Sequence, residues 1–111
     1  MAQNILFVNS SARGDASESK QLAEAILKRI TDGSPDAKVT RLDVATDLPP
    51  AVDMDWILGA YTPAETHSEG AKAAMAKSDE YIDQLLAADT VILAVPMYNF
   101  AVPATFKLWI D

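Results

Sequence analysis

The chain has 111 residues, half of them hydrophobic and 23% charged, an ordinary globular mixture with room for one domain of modest core. Its formal charge of −7 argues against a nucleic-acid partner and against attraction to an anionic membrane surface. Cysteine is absent and His67 is the single histidine, which excludes disulfides, thiolate catalysis and Cys- or His-rich metal sites.

The opening Met1-Ala2-Gln3-Asn4 carries no basic region, and the apolar run Ile5–Val8 behind it is too short for a secretion signal. No stretch approaches the roughly 18 apolar residues of a membrane span, so a cytoplasmic protein is expected. Ile5–Val8 reads as a short buried strand. Asn9–Ala16 reads as a polar loop, and Ser17–Ile30 as a helix capped by Ser17 or Ser19. Its apolar positions Leu22, Ile26 and Ile30 recur every fourth residue, with Ala23 and Leu27 alongside. Gly33-Ser34-Pro35-Asp36 has turn chemistry, and Lys38–Val44 alternates like an edge strand.

Leu48-Pro49-Pro50 opens a less regular region that runs through Trp56 and Tyr61. Thr62-Pro63-Ala64-Glu65 has the form of a capping box with proline at the first helical position. The helix expected from it runs to about Ala87, with Ala74, Ser78, Ile82, Leu85 and Leu86 facing inward. Thr90–Val95 reads as a strand buried on both faces. Pro103 then opens a last helix with Val102, Phe106, Trp109 and Ile110 on one face. Strands alternating with helices in this order argue a parallel sheet with right-handed crossovers.

Two loops carry chemistry. Asn9-Ser10-Ser11-Ala12-Arg13-Gly14 with Ser17, Glu18 and Ser19 links a strand to a helix start, where unpaired N–H groups and serine hydroxyls suit a phosphate. The same residues also suit an ordinary loop, and Asp15 and Glu18 repel a dianion unless both carboxylates face away. Pro96-Met97-Tyr98-Asn99-Phe100 follows the last strand, at the sheet edge where open α/β folds bind ligands. An aromatic, a thioether, an amide and free backbone N–H groups suit a flat heteroaromatic ring. Met97 and the aromatics suit core packing equally, but a buried amide must be hydrogen-bonded. The helix start at Pro103 points into the same region. No Ser–His–acid spacing is present, and the scattered Asp43, Asp47, Asp53 and Asp55 read as solvated acids.

Taken together, Asn9-Ser10-Ser11-Ala12-Arg13-Gly14…Ser17-Glu18-Ser19 and Pro96-Met97-Tyr98-Asn99-Phe100-Ala101-Val102-Pro103…Leu108-Trp109-Ile110-Asp111 closely resemble the FMN-dependent NADH azoreductases, also described as NADH:quinone oxidoreductases. The resemblance implies an α/β, flavodoxin-like three-layer sandwich with a parallel sheet, here cut to about three strands in the order 2-1-3. By position it implies phosphate binding at Ser11, Ser17, Glu18 (through its backbone) and Ser19. Met97, Tyr98, Asn99 and Phe100 would surround the isoalloxazine. It further implies a homodimer with FMN in each subunit, NADH or NADPH as electron donor, an azo or quinone acceptor, and a ping-pong course. No side-chain nucleophile or base is needed when the flavin carries the chemistry.

Two departures stand out. Glu18 replaces the glutamine that many relatives carry between the two serines. Family members also continue for almost as long again, so residues 1–111 are expected to be one flavodoxin-like domain incomplete at its C-terminus. The competing expectation is a non-catalytic flavodoxin-like module that associates through an exposed sheet edge. A response-regulator receiver is disfavoured, because Asn9-Ser10-Ser11 supplies no acid after the first strand.

Overall fold

The computed structural model describes residues 3–111, so Met1 and Ala2, which enter the reading of the leader, lie outside it. Its centre is strand β1 (Asn4–Asn9), whose Ile5, Leu6, Phe7 and Val8 are all at most 2% exposed. Strand β2 (Lys38–Asp43) lies parallel on one side of β1, and strand β3 (Thr90–Ala94) lies parallel on the other. The order 2-1-3 is the one expected.

Period-two alternation sorts β1 into two cores. Ile5 and Phe7 join Ile92 and Ala94 under helix α1 (Glu18–Gly33), which contributes Ala23 and Leu27. Leu6 and Val8 join Leu42 and Val44 beneath Tyr81 of helix α3 (Glu69–Ala87). Helices therefore cover both faces, as a right-handed βαβ path away from a central strand in two directions requires.

Several sequence expectations are corrected here. On α1 the sheet-facing row is Ala23, Leu27 and Ile30, while Leu22 and Ile26 are 65% and 46% exposed. A helix 3.6 residues per turn can bury only one such row against a flat sheet. The region read as irregular holds a two-turn helix α2 (Met54–Tyr61), capped by the Asp53 carboxylate accepting from Trp56 N at 2.9 Å. Its sequence is apolar on most sides, so periodicity did not mark it.

The capping box at Thr62 does not start a helix. The Thr62 hydroxyl and N–H both donate back to Leu58 O, closing α2 instead. Ala64–Thr66 makes only a short 3₁₀ turn, and α3 begins after Ser68, whose hydroxyl accepts from Ala71 N at 3.2 Å. On α3 the buried positions are Ala71 and Tyr81. Ile82, Leu85 and Leu86 are exposed, and Ala74 and Ser78 are half-buried.

Strand β3 is also not buried on both faces: Ile92 and Ala94 are covered, but Val91 and Leu93 are 40% and 45% exposed. A short helix α4 (Ala104–Ile110) follows Pro103 as expected, with Phe106 buried against Trp109 at 5.7 Å between ring centroids. Val102 and Ile110, placed on the same face by spacing, are exposed. No helix among the described residues is long and apolar enough to cross a membrane.

Candidate functional site

Register brings three strand ends level. Asn9 lies opposite Asp43 on one side and Ala94 on the other. The loops after β1 and β3 therefore leave the sheet side by side, where the chain's path from β1 parts toward opposite faces. A crevice forms at such a point because neighbouring loops turn away from each other.

The loop after β1 is anchored on both sides. Ser10 N and Ser10 Oγ both donate to Ala94 O, at 3.1 and 2.9 Å. Val44 N donates to Asn9 O at 3.0 Å. The loop then turns through Gly14 at φ +60°, a backbone region open to glycine at no steric cost.

Ser11 and Ser17 are each 2% exposed. Ser11 Oγ accepts from Arg13 N, and Ser17 Oγ accepts from Lys20 N as the N-cap of α1, both at 3.2 Å. The cap reading of Ser17 thus holds, yet it leaves the hydroxyl proton free. Among the described residues neither serine's own O–H has an acceptor. The Glu18 and Ser19 N–H groups, in the first turn of α1, have no intrahelical partner. Ser17 and the two backbone donors lie at the positive end of a four-turn helix, a place that favours an anion, and Ser11 lies on the loop that leads to it. Of the two acids expected to oppose one, the Asp15 side chain is fully exposed and pairs with Lys20 Nζ at 3.0 Å, and Glu18 is exposed. Arg13 is exposed as well.

The loop after β3 folds back on itself. Tyr98 and Ala101 exchange both backbone hydrogen bonds, at 2.9 and 3.0 Å, around Asn99 and Phe100. Those two residues hold φ of 51° and 65°, the pair of positive values that a type I′ turn demands. The turn leaves Phe100 96% exposed and Met97 71% exposed, so neither is the core residue that the competing reading suggested. The Asn99 amide is likewise exposed rather than buried.

Tyr98 joins the two loops, its phenolic oxygen accepting from Ala12 N at 3.2 Å across 86 residues of chain. Of the eight expected residues, Ser11, Ser17, Glu18 and Ser19 lie on the stretch from β1 into α1, and Met97–Phe100 lie on the loop after β3. The Ala12–Tyr98 hydrogen bond places the two side by side.

Sequence reasoning gave Asn9 no role beyond its place in the loop and read Asp43 as a solvated acid, yet their side chains meet at this edge. It also passed over a cleft of about 720 Å³ between α2, α3 and α4, walled by Trp56, Ile82, Leu85 and Trp109 among others. None of the eight expected residues lines that cleft. Its polar atoms include the Tyr81 hydroxyl and Trp109 Nε1, both buried and unpaired among the described residues. Burial pushes the Tyr81 phenol up, so it stays protonated at neutral pH.

Comparison with known proteins agrees with the layout. A family model described as a flavodoxin-like fold matches residues 3–111. The chain is 45% identical over 107 residues to an FMN-dependent NADH:quinone oxidoreductase 1 from Hahella chejuensis, covering 96% of this chain and 52% of that protein. It is 42% identical to an FMN-dependent NADH:quinone oxidoreductase from Azotobacter vinelandii, covering 96% and 54%. The crystal structure of an azoreductase from Bacillus anthracis superposes with a TM-score of 0.88 at 30% identity, covering 98% of this chain and 54% of that one. The chain spans about half the length of the curated relatives it matches.

Proposed function

The chain belongs to the flavodoxin-like fold family, and from that membership we propose that it binds FMN across the carboxyl ends of β1 and β3. In this reading it serves an NAD(P)H-driven oxidoreductase acting on quinones or azo compounds. The observation that carries the reading is the pairing of the two loops through Ala12 N and the Tyr98 phenol. It joins the serine-bearing loop to an open, aromatic-bearing turn. A phosphate and a flat ring are the two ends of FMN.

Ser11, Ser17, Ser19 and the Glu18 backbone N–H would hold the phosphate. Met97, Tyr98, Asn99 and Phe100 would border the ring, chiefly through backbone and amide groups. Bound there, the flavin would supply the electron transfer, in two half-reactions separated by release of the nicotinamide. The protein's share is binding, orientation and electrostatics. The α1 N-terminus contributes partial positive charge toward the phosphate. The names of the quinone oxidoreductase and azoreductase relatives support the substrate classes and NADH. A cytoplasmic homodimer completes the proposal. The homodimer follows from the resemblance, and the compartment accords with the absence of cysteine.

The test is flavin affinity. Replacing Ser17 and Ser19 together by alanine is expected to weaken FMN binding by about 1–3 kcal/mol, the scale for losing charge-assisted hydrogen bonds. Titration by quenching of flavin fluorescence reads it, and unchanged affinity in the double variant would sink the assignment.

A further inference from the structure

The donors of the serine loop are useful only if the loop holds still, and one side-chain pair is placed to hold it. Asn9 ends β1 and is 3% exposed. Its amide grips a single residue of the loop from both sides. Asn9 Oδ1 accepts from Ser11 N at 3.3 Å, and Asn9 Nδ2 donates to Ser11 O at 3.3 Å. The same Nδ2 donates to Asp43 Oδ1 at 3.3 Å, across the sheet to β2. Asp43 Oδ1 is itself fixed, because it also accepts from Ala45 N at 3.0 Å and Thr46 N at 3.3 Å.

A buried amide with each group engaged has one orientation, since turning it over would set its oxygen against the carboxylate. The loop's other side-chain ties, Ser10 Oγ to Ala94 O, Ser11 Oγ to Arg13 N, the Tyr98 phenol to Ala12 N, Lys20 Nζ to the Asp15 carboxylate and Gln21 Nε2 to Asp15 O, do not reach the Ser11 peptide. Asn9 is the side chain that fixes the Ser11 peptide.

We propose that Asn9, held by Asp43, is a positioning residue that presets Ser11 for the phosphate of the cofactor. The inference rests on the FMN reading above. Neither residue lies among the donors, so each acts through Ser11. Preorganised donors bind more tightly because the loop loses less freedom on binding. The effect should therefore fall on the phosphate end alone.

The full chain is titrated with FMN and with riboflavin, which shares the ring and lacks the phosphate. Asn9→Ala is expected to weaken FMN about tenfold, the scale of one lost buried hydrogen-bonded contact, and to leave riboflavin affinity unchanged. Asp43→Asn keeps an acceptor at Oδ1 and should bind FMN like the unmodified chain. Asp43→Ala removes that acceptor and should resemble Asn9→Ala. It sits at the end of an outer strand, so it keeps the test readable if Asn9→Ala fails to fold, which circular dichroism reports. Equal loss for both flavins, or no loss for FMN in the folded variants, overturns the positioning role. An unmodified chain that binds FMN no better than riboflavin overturns the phosphate assignment and this inference with it, before any variant is made.

Discussion

Asn99 and Phe100 hold positive φ in succession, and the cost falls unevenly on them. Asparagine visits the left-handed region readily, whereas a bulky residue there is strained by about 1–3 kcal/mol. Phe100 regains little by burial, because its ring is 96% exposed. Strain held at this turn accords with the flavin-bordering role proposed for it. Phe100→Gly creates the Asn-Gly pair that type I′ turns prefer. It should raise stability by about 1 kcal/mol, seen as a higher urea midpoint at unchanged slope. A lower midpoint would show that the exposed ring contributes packing after all. The sequence marked this loop by its aromatic and amide content. It did not reveal the handedness of the turn, because neither residue is glycine.

Between elements, α1 is tied to β2 by Glu24 and Arg41. The guanidinium meets both carboxylate oxygens, the longer contact at 3.1 Å, and lies over the Phe7 ring at 5.0 Å. The hydrogen bonds from Arg41 hold the Glu24 carboxyl below its ordinary value of 4.5. A depressed folded value means that the contribution is complete above that ordinary value and is lost as pH falls through the depressed one. Both side chains are more than a third exposed, so solvent screening keeps the contribution below about 1 kcal/mol. Glu24→Gln should therefore lower stability at neutral pH by less than about 1 kcal/mol, and the difference should vanish as pH falls below 4.5, leaving a flatter acid limb. Denaturation midpoints across that range check it, and an acid limb identical to that of the unmodified chain would remove the pair from the account. Close packing matters equally between α2 and α3. Gly59 is buried, and a Cβ there would come within 2.6 Å of Met75 Cγ.

At the scale of the molecule the shape is a slab, 48 × 40 × 18 Å, with a radius of gyration of 16.1 Å. A compact domain of this length is expected near 13 Å. The difference appears as apolar surface, including Val91 and Leu93 on β3, which borders no further strand among the described residues. Unpaired N–H and C=O groups beside exposed aliphatic side chains form a template for association. A preparation of this chain is expected to self-associate at micromolar concentration, and Leu93→Lys should reduce it by placing charge on that edge. Sedimentation velocity decides the matter: monomers for both chains would mean that the edge is protected.

The sequence by itself determined the alternation of strands and helices, the burial of Ile5–Val8 and the two loops at the sheet's carboxyl edge. Each of these rests on local composition and period, which residues carry with them. Tertiary structure decided which side of each helix is covered. The Leu22 and Ala23 rows of α1 are both apolar, and only contact with the sheet chose Ala23 and Leu27. It decided that Thr62 closes one helix while Ser68 opens the next, because both carry hydroxyls and the preceding turn selects between them. It decided too that Asn9, Asp43 and Ala94 lie abreast. Register between strands 34 and 85 residues apart comes from pairing across the sheet, and no local pattern in the chain encodes it.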